Sequence, residues 1–180
     1  MKRILIVVDM QTDFVDGALG TPEAVAILEN VTAKIKAYAA DPDGAIFVTY
    51  DTHAEDYMTT SEGKHLPVPH CIKGTAGWEL HPTVAATLEG VTYTPVEKPT
   101  FGSVALPALV KEAAAGEDFA VELIGLCTDI CVVSNTLLLK ASFPEIPISV
   151  DAACCAGVTP ETHKAALTTM GMCQIEVKNG

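Results

Sequence analysis

Short apolar runs that lack polar alternation are the feature that most constrains the fold of this chain. Strands of a parallel sheet that helices cover on both faces have this composition. The runs predict six strands, at Arg3–Val8, Ala45–Thr49, Thr92–Val96, Ala120–Gly125, Ile148–Val150 and Cys173–Val177. A mostly parallel sheet of about six buried strands therefore forms the centre of the predicted fold.

Helix signals alternate with these strands. Thr21-Pro22-Glu23 is an N-cap followed by proline, and it predicts a helix to about Ala40. Its buried face would hold apolar residues at helical spacing, namely Val25, Leu28, Val31, Ile35 and Tyr38. Further helices are expected at Leu106–Ala115, from Cys131 to about Ser142, and from Thr159-Pro160 to about Met170. This alternation predicts an α/β fold, a three-layer α/β/α arrangement around a doubly wound sheet.

Length and charge exclude several classes of protein. A chain of 180 residues without linkers or repeats predicts a single domain, 1–180. The net charge of −12 argues against a nucleic-acid partner, because phosphate binding needs a basic face. No apolar run is long enough to span a bilayer, and the first one ends in Asp9 rather than a cleavage site. We therefore expect a cytoplasmic protein with no membrane partner and no disulfides.

Chemically active side chains follow several predicted strands. In doubly wound folds, ligands bind beyond the carboxyl ends of the strands. The positions there are Asp9, Asp51, His53, Lys98 and, after the fourth strand, Cys131. Each has an ordinary alternative role, as a turn acid, a solvated lysine or a small apolar residue. An acid, a cation and a thiol at three separate strand ends nevertheless form a pattern suited to covalent hydrolysis.

Cys131 is the predicted nucleophile. It would lie in the first turn of a helix that follows a tight turn, Gly125 to Asp129, where unpaired N–H groups favour the thiolate. Asp9 could accept the thiol proton, and Lys98 could hold the carboxylate and favour ionised states. The thiolate would then attack an amide carbon, and water would hydrolyse the thioester.

The long irregular stretch after the second strand, about 51–80, is a candidate metal-binding loop. Asp51 and His53 occupy alternate positions of an extended segment, so both side chains point the same way. Glu62, His65 and His70 follow. Mixed carboxylate and imidazole ligands suit Zn, Fe or Mn, although such residues are also common as hydrogen-bonded surface groups.

Three motifs resemble the isochorismatase-like cysteine hydrolases and, among them, the nicotinamidases. They are Val7-Val8-Asp9-Met10-Gln11-Thr12-Asp13-Phe14, Glu97-Lys98-Pro99-Thr100-Phe101-Gly102-Ser103 and Gly125-Leu-Cys-Thr-Asp-Ile-Cys131-Val132. The resemblance implies a catalytic triad of Asp9, Lys98 and Cys131. It also implies a cis peptide before Cys127, whose N–H would join that of Cys131 in an oxyanion hole.

The same resemblance assigns roles in the loop. It implies metal ligation by Asp51, His53 and His70, with a fourth ligand from Glu62 or His65, of which we prefer Glu62. The metal, with zinc first and iron or manganese as alternatives, would bind the pyridine nitrogen of the substrate. Phe14 would stack on the pyridine ring. Leu66 departs from the aromatic residue that family members often carry before the Pro-rich segment, so the substrate pocket could differ.

The sequence thus predicts an amidohydrolase that converts nicotinamide and water to nicotinate and ammonia. Its partner would be a small-molecule amide substrate, and the sequence allows either a monomer or a homo-oligomer. One alternative is a related cysteine hydrolase acting on another small amide or carbamoyl compound. Another is a non-catalytic binding protein of the same fold, which would have no need of a thiol beside an acid.

Overall fold

A single six-stranded sheet organises the protein, and the computed structural model describes all residues, 1–180. The strands are β1 (Lys2–Val8), β2 (Gly44–Asp51), β3 (Thr94–Lys98), β4 (Phe119–Leu126), β5 (Ile148–Ala156) and β6 (Glu176–Lys178). Every neighbouring pair is parallel, and the order across the sheet is β3-β2-β1-β4-β5-β6. This arrangement confirms the predicted doubly wound sheet.

Helices cover both faces of the sheet. They are α1 (Thr12–Val15), α2 (Pro22–Ala26), α3 (Leu28–Ala39), α4 (Ser61–His65), α5 (Pro82–Leu88), α6 (Leu106–Ala114), α7 (Val133–Ser142) and α8 (Pro160–Met172). Alternate residues of β1 point to opposite faces, so Leu5 and Val7 pack with α3 and α5, whereas Ile4 and Ile6 pack with α6 to α8. Two apolar cores therefore flank the sheet, as expected of a three-layer fold. None of the helices combines the length and the apolar character that crossing a membrane requires.

The strand order reverses between β1 and β4, and this point fixes where the site lies. Crevices at such a reversal are the usual ligand sites of open α/β sheets. Gly125 pairs with Val8 here and has a φ of +114°. A Cβ at this position would collide with the Val8 carbonyl oxygen, so the close approach of the two strand ends requires glycine.

The helix predicted from Pro22 to Ala40 is interrupted. It bends at Ile27, which ends α2 and begins α3. The bend moves the buried face by one position: Ala24 and Ile27 are buried, whereas Val25 is exposed. Val31, Ile35 and Tyr38 face the core as predicted.

Two further boundaries differ from the sequence prediction. β5 continues to Ala156 rather than ending at Val150. The last helix continues to Met172, and Gln174 then adopts a left-handed φ of +65°, so β6 begins at Glu176 instead of Cys173. Both differences lengthen an element that was predicted, so the order and direction of the strands are as expected.

Candidate active site and metal centre

Asp9 lies at the carboxyl end of β1 and is completely buried. Its φ of +47° turns the chain away from β2, a conformation that costs energy for any residue other than glycine. Thr49 donates a hydrogen bond of 2.6 Å to Oδ1. Oδ2 lies 2.6 Å from Lys98 Nζ in an ion pair, and no hydroxyl or backbone N–H group donates to it. Oδ2 is therefore the oxygen of Asp9 that can accept a proton.

Lys98 ends β3, and its side chain is fully buried among acidic groups and a thiol. Nζ lies 3.2 Å from Asp51 Oδ1 and 3.5 Å from Cys131 Sγ. Burial lowers the pKa of this ammonium, but Asp9, Cys131 and Asp51 outweigh burial and raise it above its usual range. Lys98 is therefore a permanent cation, which excludes the solvated turn lysine considered from sequence.

Cys131 lies in a π-helical turn, Thr128–Val132, that precedes α7. It is 3% exposed. Burial raises the pKa of its thiol well above the usual value, Asp9 raises it further, and Lys98 opposes both. Desolvation and a neighbouring carboxylate therefore favour the neutral thiol over the thiolate expected at a helix start.

Cys127 joins β4 to this turn, and the peptide bond from Leu126 to Cys127 is cis. Its N–H has no acceptor within the protein, so it is available to a bound ligand. Its side chain is partly exposed, and burial raises the pKa of the thiol to about 12. A cis bond at the position implied by the resemblance is thus present, next to Cys131 in the same cavity.

Asp51, His53, Glu62 and His70 form one compact cluster whose potential ligand atoms all lie within 4.8 Å of one another. His53 Nε2 lies 2.9 Å from Asp51 Oδ2 and 3.7 Å from Glu62 Oε1. His70 Nε2 lies 3.5 and 3.6 Å from the same two oxygens. Two carboxylates and two imidazoles converging in this way fit a divalent metal ion.

The orientation of His70 supports this fit. Its Nδ1 lies 2.8 Å from the Val68 carbonyl oxygen, which can only accept, so Nδ1 carries the hydrogen. Nε2 then presents its lone pair to the cluster. A carbonyl oxygen that fixes the imidazole in this way is typical of metal-binding histidines.

The structure brings Glu62, and not His65, to the cluster. Both residues belong to the short helix α4, whose N-cap Thr60 accepts from Gly63 N–H. His65 is exposed, and its Nδ1 donates to the Ser61 carbonyl, which holds the ring away from Asp51. Burial and the charge of Asp51 raise the pKa of Glu62, and His53 and His70 oppose them.

A cavity of about 200 Å³ lies next to the thiols and the carboxylate–imidazole cluster. Cys131 and Cys127 line this cavity, and so do three of the four clustered residues, Asp51, Glu62 and His70. The remaining walls are mostly apolar and come from several elements, namely Phe14, Leu19, Thr21, Ala24, Leu66, Phe101, Leu126, Ile130, Gly157 and Val158. The volume suits a molecule no larger than a single substituted ring.

Phe14 belongs to α1 and lines this cavity. Its ring centroid lies 5.4 Å from that of His70 in an edge-to-face arrangement. Leu66 also lines the cavity and is 37% exposed, whereas Trp78 packs on Tyr50 and is not among the lining residues. Trp78 therefore does not replace the aromatic residue that Leu66 lacks.

Sequence reasoning missed the residues that hold these groups in place. Gln11 and Asn135 are fully buried amides that bind the backbone around Asp51 and Cys131, respectively. Asp13 accepts from the N–H of Cys71, which fixes the segment after His70. Gln11 and Asp13 stand in the motif around Asp9, and a polar residue directly after an apolar strand was the available signal.

Comparison with known proteins agrees with this geometry. Residues 3–178 match the Isochorismatase domain family. The chain is 28% identical over 185 residues to the nicotinamidase/pyrazinamidase of Mycobacterium tuberculosis, and 97% of each chain is covered.

Solved structures agree as well. The nicotinamidase/pyrazinamidase PncA of Bacillus subtilis superposes with a TM-score of 0.85 at 26% identity, over 99% of this chain and 100% of that one. The pyrazinamidase of Pyrococcus horikoshii, solved in complex with zinc, superposes with a TM-score of 0.77 at 23% identity, over 98% of both chains. With its strand order, its cluster of Asp9, Lys98 and Cys131 and its match over nearly the whole length, this chain belongs to the isochorismatase family.

Proposed function

We propose that the protein hydrolyses nicotinamide to nicotinate and ammonia through a thioester on Cys131, in the salvage of pyridine nucleotides. The observation that carries this proposal is one small cavity lined by the Cys131 thiol and by three of the four clustered residues, with the Lys98 cation 3.5 Å from that thiol and Asp9 2.6 Å from the cation. The relatives named nicotinamidase support the substrate.

The first half of the reaction begins with a neutral thiol. Asp9 Oδ2 takes the proton of Cys131, and Lys98 stabilises both the carboxylate and the developing thiolate. The sulfur then attacks the carboxamide carbon. The N–H groups of Cys127 and Cys131 donate to the oxyanion, a role for which the unpaired N–H of Cys127 is suited.

The second half returns the proton. Asp9 protonates the departing ammonia, and the carbon–nitrogen bond breaks to leave a thioester. Burial raises the pKa of Asp9, while Lys98 lowers it, so this carboxyl group exchanges protons more readily than an ordinary exposed acid. Asp9 then removes a proton from water, whose oxygen attacks the thioester carbon. The carbon–sulfur bond breaks to release nicotinate, and Asp9 returns the proton to the sulfur of Cys131.

Asp51, His53, Glu62 and His70 would hold a divalent metal, with zinc first and iron or manganese as alternatives. When bound, the ion would supply an open coordination position for the pyridine nitrogen. The zinc complex of the Pyrococcus horikoshii relative supports zinc. Phe14 would pack against the pyridine ring and orient the carboxamide towards Cys131.

The cavity walls offer no free lysine or arginine to a substrate carboxylate. The charged lining residues are Asp51 and Glu62, and the neighbouring cation, Lys98, is fully engaged by carboxylates. The remaining walls are mostly apolar, which favours a small neutral substrate. Leu66 at the cavity wall favours a second candidate, hydrolysis of another small neutral amide, because it leaves more room than an aromatic side chain. The single domain 1–180 and the cytoplasmic location stay predictions of the sequence.

Ammonia release from nicotinamide tests the proposal, measured with purified protein before chelation, after chelation and after metal is added back. Turnover of order 1 per second that needs the metal would support reaction, substrate and ion together. Absence of release from zinc-loaded protein would reject nicotinamide and direct the assay to other small neutral amides.

A further inference from the structure

Gln11 occupies an unusual place beside β2. β1 pairs with β2 only as far as Val8 opposite Thr49, because the chain turns away at Asp9. The edge of β2 at Asp51 therefore has no strand partner on the β1 side. On the other side, Asp51 is opposite Lys98 of β3.

The side-chain amide of Gln11 fills this gap. Its Oε1 accepts from Asp51 N–H at 2.8 Å, and its Nε2 donates to the Asp51 carbonyl oxygen at 2.9 Å. Both backbone groups of one strand residue point to the same side, and a neighbouring strand would ordinarily bind both. The amide thus replaces a strand peptide and extends the sheet by one residue at Asp51.

A third hydrogen bond connects Gln11 to the segment that carries His70. Nε2 also donates to the Trp78 carbonyl oxygen at 2.8 Å, and the Gln11 backbone forms an isolated bridge with Leu80. The amide is fully buried and uses both donors and its acceptor on the backbone. Gln11 therefore sets the distance between the end of β2 and this second segment.

We infer that Gln11 is a positioning residue of the metal centre, which acts by fixing the Asp51 backbone and so sets the affinity for the divalent metal. The inference rests on the proposed metal site. Asp51 Oδ2 lies within 3.5 Å of the Nε2 atoms of both His53 and His70. A shift of the Asp51 backbone therefore changes both distances. Residues that orient metal ligands from outside typically change affinity by about 10- to 100-fold when they are replaced.

The test is zinc affinity, measured on metal-free protein by competition with a chromophoric chelator. Gln11→Met keeps the length of the side chain and removes all three hydrogen bonds, and we expect at least about tenfold weaker binding. Asn135→Leu is the matched control. Asn135 is also a buried amide with three hydrogen bonds to backbone, but it binds Cys131, Phe101 and Ser103, away from the metal ligands. This control should keep zinc affinity within about twofold while it loses comparable stability in urea.

Two results would overturn the inference: unchanged zinc affinity in Gln11→Met, or an equal loss in Asn135→Leu. If Gln11→Met does not fold, Gln11→Asn decides, because it keeps a buried amide that is too short to reach both Asp51 and Trp78. Zinc binding is measured without nicotinamide. A wild-type protein that binds zinc but releases no ammonia therefore contradicts the proposed function alone, whereas a wild type without zinc affinity overturns both.

Discussion

Asp51 and Lys98 form the link between the two halves of the site. Asp51 Oδ1 lies 3.2 Å from Lys98 Nζ, and Oδ2 of the same carboxylate lies 2.9 Å from His53 Nε2. Burial alone would raise the pKa of Asp51, but the neighbouring imidazoles of His53 and His70 and the charge of Lys98 hold it well below its usual range. One ionised carboxylate therefore contacts both the cation beside Cys131 and the histidines of the proposed metal site.

Lys98 is expected to be essential for stability as well as for catalysis. Lys98→Met leaves Asp9 and Asp51 buried near each other without a cation, and breaking a buried pair in this way costs about 3–5 kcal/mol. Urea unfolding at neutral pH measures the loss. Lys73→Met is the control, since Lys73 pairs with Glu97 in solvent, where such a pair contributes at most about 1 kcal/mol. Equal losses of unfolding free energy in the two variants would contradict a stabilising role for the buried ion pairs of Lys98.

Replacing Asp51 and replacing Glu62 should have different effects, although both belong to the proposed metal site. Asp51→Ala removes a ligand and the partner of Lys98, so we expect it to lose the metal and to raise KM at least as much as it lowers kcat. Glu62→Ala removes a ligand without touching Lys98. Metal content after dialysis and steady-state kinetics with excess metal measure the difference. If Asp51→Ala retains the metal with normal affinity, the assignment of the loop is wrong.

The topology was predictable because it depends on local patterns. Apolar runs and capping signals such as Thr21-Pro22 and Thr159-Pro160 specify elements within a few residues, and both threonines cap helices as expected. The bend at Ile27 was not predictable, since helical spacing alone allows either Val25 or Ala24 on the buried face. Packing against the sheet decides between them, and it is a tertiary effect.

The candidate site was predictable where chemistry follows strand ends, and less so elsewhere. The strand-end rule identified Asp9, Asp51, Lys98 and Cys131, which the fold does bring together. The rule could not predict the protonation state of the Cys131 thiol. That state depends on burial and on Asp9, which lies at the end of the strand next to the one that leads to Cys131. Nor could the rule identify Gln11, whose role arises only because β1 ends before β2.

Cys131→Ala tests the nucleophile. The change removes only the sulfur, so turnover should fall to background while metal affinity remains and the unfolding free energy changes by about 1 kcal/mol. Cys155→Ala is the control, because Cys155 is a buried cysteine of β5 that does not line the cavity. Its turnover should match that of the wild type. Residual activity near wild type in Cys131→Ala would remove Cys131 as the nucleophile.

Phe14 should matter for substrate binding more than for chemistry. Phe14→Leu removes an aromatic face from the cavity, and we expect KM for nicotinamide to rise by about fivefold to tenfold with a smaller change in kcat, which corresponds to a stacking contribution near 1 kcal/mol. Phe119→Leu makes the same change in the core on the other side of the sheet. Phe119→Leu should lose about as much unfolding free energy as Phe14→Leu and leave KM for nicotinamide unchanged. If KM is unchanged in Phe14→Leu, the residue is ordinary core packing.

The acid sensitivity of the fold should arise in part from Glu122, far from the cavity. Its Oε1 pairs with Lys34 and Lys178 at 3.3 and 3.1 Å, and Tyr38 donates to Oε2 at 2.8 Å. Burial raises the pKa of Glu122, but these partners outweigh it and lower the folded-state pKa below the usual value.

A carboxyl group with a lowered folded-state pKa contributes stability above its unfolded pKa of about 4.3, and this contribution is lost as the pH falls through the folded value. The wild type should therefore lose unfolding free energy more steeply than Glu122→Gln below about pH 4.3. Urea unfolding from about pH 6 to about pH 3 measures both slopes. We expect the difference in stability between the two proteins to shrink as the pH falls. If the difference in unfolding free energy between the wild type and Glu122→Gln stays constant across this range, the charge of Glu122 does not stabilise the fold.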